Sequence, residues 1–292
     1  MINLAPQKAL HYSEAIKKKS YIPQTFAIQP KLDGWYCMLD YIDGNWGKLS
    51  SRAEREIPSL DFLHEHIYKC LSPAENTRFI FEATIPDMQF HELNGVLNRK
   101  SESAENVVLN LHDIIFLDRP ELPFKDRYEY VNPAYLMLKE YLGHWVKLVP
   151  ILAISSQEDV FYYHFNQVTS SGGEGIILKN YDTGYFFGKR NAHLMKLKEL
   201  ITKDFAVVDL LPGEKGSKYE FTLGALVVQG RNGIKHTVSG MSDDERNLWW
   251  SNPDLIKGKV VQVNAMKELP DGSLREGRYK WVRHDKELWE ID

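Results

Sequence analysis

The chain has 292 residues, of which 43% are hydrophobic and 26% are charged, as in an ordinary globular protein that buries its own core. Its formal net charge of −4 excludes a basic field over the whole chain, so a nucleic acid would have to bind local basic patches. The two cysteines exclude a disulfide framework, no apolar run is long enough to cross a bilayer, and the N-terminus lacks a signal-peptide pattern. A cytoplasmic protein without membrane contact is therefore expected.

The first informative stretch runs from Phe26 to Met38. Apolar alternation on both sides of Asp33-Gly34 predicts two strands with a turn or bulge between them. Lys31 precedes the turn and is expected to point into a cleft. Because a lysine is a nucleophile only after it loses its proton, it needs partial desolvation or a neighbouring cation, and Asp33 could orient the amine or hold a metal ion. The alternative for so short a pattern is a surface hairpin with a solvated lysine.

The next part of the chain alternates predicted strands with helices. Ser155 and Glu158 have the spacing of a capping box, which predicts the start of a helix at this point. Pro133 lies inside another predicted helix and is a potential break in it. The predicted strands cover about 78–85, 107–117, 146–154, 176–179 and 194–198, and the predicted helices cover about 58–70, 127–141 and 155–168.

The pattern changes after Lys203. Short strands, expected at 205–211, 221–229, 234–238, 259–267 and 274–283, now follow one another, with one helix capped by Ser242-x-x-Glu245. About five strands and one helix in roughly 90 residues are typical of a small Greek-key barrel of the oligonucleotide-binding (OB) type. We therefore predict two domains, 1–202 and 203–292, with a hinge at Thr202-Lys203.

Lysines and carboxylates are expected to gather around one cleft in the first domain. Glu82 and Glu174 lie on or beside apolar strands, where a carboxylate must be paired, hydrogen-bonded or metal-bound. Lys196 and Lys198 are two residues apart in a strand and therefore share a face, and Lys179 follows Glu174 closely. Such a set suits the binding of phosphates and Mg²⁺ during phosphoryl transfer, whereas each residue alone would more commonly be a surface lysine or a paired carboxylate.

Five segments stand out by their order and spacing, namely Lys31-Leu-Asp33-Gly34, Phe79–Glu82, Leu111–Ile114, Glu174–Lys179 and Leu194–Lys198. They resemble the nucleotidyltransferase motifs of ATP-dependent DNA ligases. The first motif is shared with capping enzymes and RNA ligases of the covalent nucleotidyltransferase superfamily, but Arg283-His-Asp285-Lys286 resembles the Arg-x-Asp-Lys motif that ends DNA ligases. The resemblance covers nearly the whole chain and is closest to the minimal two-domain type of bacteriophages and some bacteria.

The resemblance implies an α+β fold. A nucleotidyltransferase domain (ATP-grasp-like, of the DNA ligase kind), with antiparallel sheets and flanking helices, would be followed by a small OB-fold β-barrel. It also implies a monomer that acts on nicked double-stranded DNA in replication, repair and recombination, in the cytoplasm, or in the host cytoplasm if the source is a virus.

The implied reaction has three steps. Lys31 attacks the α-phosphate of ATP and carries AMP, the AMP passes to the 5′-phosphate at a nick, and the 3′-hydroxyl displaces it. The resemblance gives catalytic roles to Lys31, Asp33, Lys196 and Lys198; ATP contacts to Gln29, Lys31, Glu82, His112, Lys179, Lys196, Lys198, Arg283 and Lys286; Mg²⁺ binding to Glu82 and Glu174; and DNA contacts to Arg52 and Arg55.

Three places depart from the family pattern: Tyr36, the segment before Glu82, which lacks the common Asp-Gly pair, and Leu194-Met195, which replaces a tryptophan often found there. Tyr36 stands where the family usually has an arginine, so Arg52 or Arg55 is expected to compensate. His112 stands where the family usually has an aromatic that stacks on adenine, and its alternative is a core histidine satisfied by hydrogen bonds. Two other functions stay open, an RNA ligase of the same superfamily and a non-catalytic nucleic-acid-binding relative. The Arg283–Lys286 ending argues against the first, and the retained lysines and carboxylates argue against the second.

Overall fold

The computed structural model describes residues 4–18, 21–265, 267–268 and 271–292, and the chain divides into two compact units, Met1–Lys198 and Glu199–Asp292. The division therefore falls four residues before the expected boundary at 202/203. Thr202 and Lys203 lie inside a long strand, Ile201–Pro212, where they pair with Asn264 and Val263. The connection between the two units is thus the short segment 199–200.

The first unit contains two sheets with helices against them. Its strands are β1 (Lys8–His11), β2 (Phe26–Pro30), β3 (Trp35–Ile42), β4 (Asn45–Trp46), β5 (Ser50–Ser51), β6 (Thr77–Thr84), β7 (Val108–Phe116), β8 (Val146–Leu148), β9 (Ala153–Ser155), β10 (Gly175–Asn180) and β11 (Arg190–Lys198). Its α-helices are α1 (Tyr12–Ala15), α2 (His64–Cys70), α3 (Phe90–Leu97), α4 (Phe124–Leu142) and α5 (Glu158–Ser170), with 3-10 helices at Pro58–Leu63 and Gly143–Trp145.

The first sheet has the strand order β1-β11-β10-β2-β9, with only β1 and β11 parallel to each other among these pairs of described strands. Alternate side chains of a strand point to opposite faces, and the apolar ones here form a core with α5. Ile28, Ile176 and Leu178 are fully buried in that core together with Phe161. The other face of this sheet carries the polar residues of the candidate site.

The second sheet has the order β4-β3-β6-β7-β8, with β5 paired to β3. One of its faces forms the largest core of the unit, in which Phe81 and Leu111 pack with buried residues of α2 and α4. Pro133 lies inside α4 without ending it, so the potential break does not occur. Because Val131 and Ala134, on either side of the proline, are both buried in this core, packing holds the helix together.

The Lys31 segment connects the two sheets. β2 belongs to the first sheet and β3 to the second, so the two strands do not form a hairpin and the alternative of a surface hairpin is wrong. Residues 31–34 cross from one sheet to the other. A Cβ atom at Gly34 would lie 2.6 Å from the Ala83 carbonyl oxygen and 2.8 Å from Cγ of Glu82. Glycine is therefore needed for this segment to pass directly against β6.

The two expected capping boxes have different outcomes. Ser155 lies in β9, and its hydroxyl accepts a hydrogen bond from the Gln157 backbone, so α5 begins at Glu158 without the predicted box. In the second unit the box forms, since the Ser242 hydroxyl accepts from the Glu245 N–H and the Glu245 carboxylate accepts from the Ser242 N–H.

The second unit is a five-stranded sheet with one α-helix. Its main order is β14-β13-β12-β15-β18, its neighbours are antiparallel, and an isolated bridge joins Ser239 to Arg278 at the two ends. No closed barrel is found in the described part of this unit, and Met266 of the expected strand 259–267 lies outside that part. The elements are β12 (Ile201–Pro212), β13 (Leu223–Gln229), β14 (Lys235–Val238), α6 (Asp243–Ser251), β15 (Val260–Ala265), β16 (Lys267–Glu268), β17 (Leu274–Arg275) and β18 (Arg278–Val282), with 3-10 helices at Pro253–Leu255 and Leu288–Glu290.

Both units together therefore give a mixed α+β fold in which most strand pairs are antiparallel.

Candidate functional site

Lys31 is held at the end of β2 by its backbone and by its side chain. Its N–H donates to the Gly175 carbonyl at 2.8 Å, and its ammonium forms an ion pair with the carboxylate of Glu174. Gly175 has φ +140°, and a Cβ there would lie 2.2 Å from the Leu197 carbonyl oxygen, so only glycine lets β10 begin so close to β11. The side chains of Lys31 and Glu174 keep 21% and 13% of their surface exposed. The pair is thus accessible from solvent.

The strand register brings other predicted residues onto the same face as Lys31. Gln29 on β2 stands opposite Ile177 on β10, which stands opposite Lys196 on β11. Lys198 stands opposite Gly175, two residues further along the same strands. Gln29 is almost fully buried, and its amide nitrogen donates to the Val149 carbonyl at 3.2 Å.

Glu82 approaches this group from the second sheet. It is half-buried on β6, directly opposite Tyr36 on β3. Burial raises the pKa of its carboxyl to about 7, and the nearby charge of Glu174 adds to the rise while Lys31 opposes it. The charges of Lys31 and Glu174 thus both act on the carboxyl of Glu82.

The carboxylates of Glu174 and Glu82 could hold a divalent cation. Oε1 of Glu174 is buried and has no hydrogen-bond partner, while its other oxygen takes the Lys31 ammonium. Among the described residues, no group of three or more histidines, cysteines and acids is arranged as a metal site. Mg²⁺ is commonly bound by one or two carboxylates together with phosphate oxygens and water. The donor set therefore fits Mg²⁺ that is shared with a phosphorylated ligand.

Lys179 lies deeper between the two sheets. Its ammonium donates to the His112 carbonyl at 2.6 Å and to Nδ1 of His112 at 3.1 Å, and it lies 3.5 Å from the carboxylate of Asp113. Arg127 contacts both oxygens of Asp113, at 3.2 and 3.1 Å. Burial lowers the pKa of Lys179 to about 8, despite the attraction of Asp113. Burial opposes ionisation of Asp113, but Arg127 and Lys179 keep the pKa of its carboxyl below the ordinary value.

His112 owes its position to a β-bulge. Ile80 of β6 pairs with Asp113 and the next residue pairs with Leu111, so His112 is the extra residue on β7. Burial and the charge of Lys179 lower the pKa of its ring well below the ordinary value, so the ring is neutral and its Nδ1 accepts from Lys179. The ring of Tyr36 lies edge-on, 6.5 Å away between centroids.

Arg52 and Arg55 are both exposed in the loop after β5. The guanidinium carbon of Arg52 lies 4.7 Å from the centroid of the Tyr36 ring, which is a cation–π distance. The backbone carbonyl of Arg55 accepts from Ser51. The structure therefore brings Arg52, but not Arg55, into contact with the Tyr36 ring.

The C-terminal residues form a cluster within the second unit. Arg283 contacts both oxygens of the Asp285 carboxylate, at 2.9 and 2.7 Å. Arg283 and Lys286 also bind one oxygen of buried Asp204, at 2.8 and 2.7 Å. The ion pair with Arg283 lowers the pKa of the Asp285 carboxyl to about 2.

The sequence interpretation missed three partners of these residues. Arg127 binds Asp113, the neighbour of the predicted residue His112, and Asp204 binds the predicted residue Arg283. His11 pairs with Lys196 in the register of β1 and β11. Neither Arg127 nor Asp204 has a local motif, because each is a single charge distant in sequence from its partner. Only Asp204 had a signal in the sequence, because it is an acid directly before the apolar residues of the predicted strand 205–211.

No helix in the described ranges is both long and apolar enough to span a membrane.

Sequence and structure comparisons agree on one family. Curated relatives include the DNA ligase of Nitrosopumilus maritimus, 30% identical over 87% of this chain and 46% of that protein, and a probable DNA ligase of Dictyoglomus thermophilum, 23% identical over 76% of this chain and 38% of that protein. The chain thus spans less than half the length of these relatives.

Solved structures share the fold along almost the whole chain. One, from a structure–function study of minimal-scaffold Lig E DNA ligases, has a TM-score of 0.71 at 22% identity and covers 96% of this chain and 99% of its own. The bacteriophage T7 ATP-dependent DNA ligase in complex with ATP has a TM-score of 0.57 at 19% identity and covers 97% and 100%. The family profile described as the ATP-dependent DNA ligase domain matches residues 4–198, which contain Lys31, Glu82, Glu174 and the paired lysines. The chain belongs to the ATP-dependent DNA ligase family.

Proposed function

We propose that this protein is an ATP-dependent DNA ligase that seals nicks between a 3′-hydroxyl and a 5′-phosphate in duplex DNA. The observation that carries the proposal is the accessible ion pair of Lys31 and Glu174, which lies on a lysine-rich face with Glu82 close by. A nucleophilic amine, a carboxylate beside it and cations for phosphate oxygens are the parts that adenylyl transfer requires.

In the first step, the Lys31 nitrogen attacks the α-phosphorus of ATP. A nitrogen–phosphorus bond forms, the bond to pyrophosphate breaks, and the amine releases a proton. Glu174 is the carboxylate in contact with this ammonium, so it is suited to receive the proton and to keep the amine aimed. Asp33 follows in the same crossing segment and is proposed to orient Lys31. Lys196 and Lys198 are proposed to neutralise charge on the α-phosphate.

Mg²⁺, when bound, would neutralise phosphate charge during this step, and Glu174 and Glu82 are the residues proposed to hold it. The unpartnered, buried Oε1 of Glu174 supports this assignment. As an alternative to metal binding, the carboxylate of Glu82 is proposed to contact the ribose of ATP. Because its carboxyl has a pKa of about 7, a nearby cation would favour its ionised form.

The nucleobase is proposed to lie near Gln29 and His112. Gln29 is fixed by Val149, and the neutral ring of His112 can stack on adenine. Lys179 contacts His112 through both a ring nitrogen and a carbonyl oxygen. We therefore propose that Lys179 acts on ATP by positioning His112, in place of a direct phosphate contact.

The second unit is proposed to be an OB-fold domain that acts in the first step through Arg283 and Lys286. Their cations would orient the leaving pyrophosphate, and the domain would then expose another face to DNA. Arg52 and Arg55 are proposed to contact DNA phosphates, with the 5′-phosphate at Arg52. We further propose that the protein acts as a cytoplasmic monomer.

The test is one incubation with ATP and Mg²⁺, followed by intact-mass analysis and by addition of nicked DNA. The wild type should gain the mass of one AMP and seal the nick, and Lys31→Ala should do neither. Lys147→Ala, which removes an exposed lysine of β8 in the same unit, is the matched control and should behave as the wild type. An AMP adduct that persists on Lys31→Ala would refute the assignment of the nucleophile.

A second incubation separates DNA ligase from RNA ligase. Nicked duplexes that carry DNA or RNA on the 3′-hydroxyl side should be offered to the adenylylated protein. Sealing confined to RNA ends would contradict the DNA ligase proposal, and binding without adenylylation would identify a non-catalytic relative.

A further inference from the structure

The contact between Arg52 and Tyr36 is a feature that the reaction steps above do not use. Ser51 of β5 pairs with Cys37 of β3, so the register places Arg52, the next residue, beside Tyr36. The guanidinium lies over the ring at 4.7 Å from its centroid. Within the described part of the chain, no carboxylate forms an ion pair with Arg52. The face of the guanidinium is therefore supported while its N–H edges carry no protein acceptor.

Tyr36 is itself held in place. Its ring packs with Ile80, Ile115 and Tyr185, and its hydroxyl lies beside that of Tyr185. Burial and the neighbouring Tyr185 raise the pKa of the Tyr36 hydroxyl, so the side chain stays neutral. A neutral aromatic ring fixed by packing is a suitable support for a guanidinium, which stacks well on aromatic faces.

Arg52 is also close to the cleft carboxylate. The positive charge of Arg52 lowers the pKa of Glu82, and among the neighbouring cations only Lys31 lowers it more. The same charge contributes to the low pKa of His112. A guanidinium offers paired N–H donors that match the oxygens of a phosphate group. Supported from one face and exposed to solvent, Arg52 is thus arranged for a phosphate.

We propose that Tyr36 is a positioning residue that holds the Arg52 guanidinium for the 5′-phosphate of a DNA end. The family arginine expected at position 36 is thereby replaced by an aromatic ring that fixes an arginine from the neighbouring loop. This inference rests on the proposed function, since the phosphate is that of the nicked substrate. ATP offers the same chemistry, so the test must compare the two phosphates.

The test measures binding to two nicked duplexes, one with a 5′-phosphate and one with a 5′-hydroxyl, without Mg²⁺ so that no sealing occurs. The preference of the wild type for the phosphorylated nick is the readout, and ATP affinity is measured in parallel. Arg52→Ala and Tyr36→Leu should each reduce the preference by about 3- to 30-fold, the range expected for a cation–π contact and a charged phosphate contact. The double variant should lose no more than the larger single loss, because both changes remove one unit.

Three controls make the result specific. Tyr36→Phe keeps the ring and should stay within about twofold of the wild type. Arg99→Ala should do the same, because it removes an exposed arginine of the first unit that pairs with Glu102 and has no proposed role. Thermal unfolding of Tyr36→Leu establishes that the variant is folded. If Tyr36→Phe loses as much as Tyr36→Leu, the hydroxyl and not the ring carries the effect, and the proposal is overturned.

The remaining outcomes separate this inference from the proposed function. Additive losses in the double variant, a loss confined to ATP affinity, or a wild type without preference for the 5′-phosphate would each overturn the role of Tyr36. A wild type that prefers the phosphorylated nick but neither takes up AMP nor seals would overturn the ligase activity and leave the positioning role supported.

Discussion

Lys31 directly follows β2 and Lys179 lies on the neighbouring strand β10, yet their surroundings differ in almost every respect. The side chain of Lys31 is 21% exposed and has Glu174 as its ion-pair partner. The side chain of Lys179 is 9% exposed and contacts a carbonyl, a ring nitrogen and a carboxylate, beside the Phe124 ring at 4.8 Å. Burial lowers the pKa of Lys179 to about 8.

The difference shows why a lysine in a polar cleft is not automatically a reactive one. An ammonium has three donors, and the contacts of Lys179 occupy all three, so little remains for a ligand. Lys31 can exchange its contact with Glu174 for a contact with a ligand at small cost, because the pair is partly solvated. We therefore expect substitutions of Lys31 to affect chemistry and substitutions of Lys179 to affect stability.

The largest expected effect is that of Lys31→Arg on adenylylation. Arginine keeps the positive charge and can keep the ion pair with Glu174, but its guanidinium does not deprotonate in proteins. Self-adenylylation, measured by intact mass, should therefore be lost, while the free energy of unfolding changes by less than about 1 kcal/mol. A large loss of stability in Lys31→Arg would show that Lys31 is structural and would remove the contrast.

The next effect is that of Lys179→Met on stability. The change leaves the His112 carbonyl and ring nitrogen without their donor and takes a charge away from Asp113, which keeps Arg127. Breaking a buried charge network in this way costs about 3–5 kcal/mol, which denaturant unfolding would measure. Lys189→Met, at an exposed lysine of the same unit, is the control. An unchanged midpoint with lost adenylylation would instead make Lys179 a direct ATP ligand.

This contrast was only partly accessible from the sequence. The alternation around Glu82 and Lys196 correctly predicted strands, because a period of two is a local property. The bulge that leaves His112 unpaired depends on the register of β6 against β7, which no local pattern encodes. The crossing of residues 31–34 between sheets likewise depends on long-range pairing, so the sequence predicted a hairpin in its place.

The capping boxes show the same limit at a smaller scale. Ser155-x-x-Glu158 and Ser242-x-x-Glu245 are equivalent as local patterns, but only the second box forms. Ser155 pairs with Phe26 in the first sheet, and this sheet pairing takes the residue that the box needs. Burial could not be predicted for Lys179 either, since its hydrogen-bond partner His112 lies 67 positions away in sequence.

The second unit contains two cations that bind a buried carboxylate, as Lys179 does, although their side chains are about as exposed as that of Lys31. Lys286 binds buried Asp204 but keeps 28% of its side chain exposed. If it orients the leaving pyrophosphate, Lys286→Ala should slow self-adenylylation about 100-fold, as for the loss of one electrostatic contact to a transition state. The variant should still seal a nick that already carries AMP on its 5′-phosphate. Lys280→Ala, at an exposed lysine of β18, is the control, and equal rates for both variants would contradict the proposed role.

The smallest expected effect concerns the carboxylate of Glu82. It is measured as the dependence of the free energy of unfolding on pH, without nucleotide or metal. Burial raises the pKa of Glu82 to about 7 in the folded chain, above its ordinary value of 4.5. Between these two values the folded state binds more protons than the unfolded state, so the free energy of unfolding should fall as pH rises from about 4.5 to about 7. The full pKa difference corresponds to a fall of ~3 kcal/mol in the free energy of unfolding, and partial exposure of Glu82 reduces this fall to about 2 kcal/mol.

Glu82→Gln removes this titration and separates it from the other acids of the chain. The difference in unfolding free energy between the variant and the wild type should increase in favour of the variant by about 2 kcal/mol between pH 4.5 and pH 8. Glu14→Gln, at an exposed acid of α1, should show a difference that does not depend on pH over the same range. If Glu82→Gln also gives a constant difference, Glu82 is ionised at all these pH values, and the Lys31 ammonium must hold it more strongly than its burial opposes. In that case Lys31 would have two carboxylate partners, and its environment would resemble that of Lys179 more than the accessible pair with Glu174 indicates.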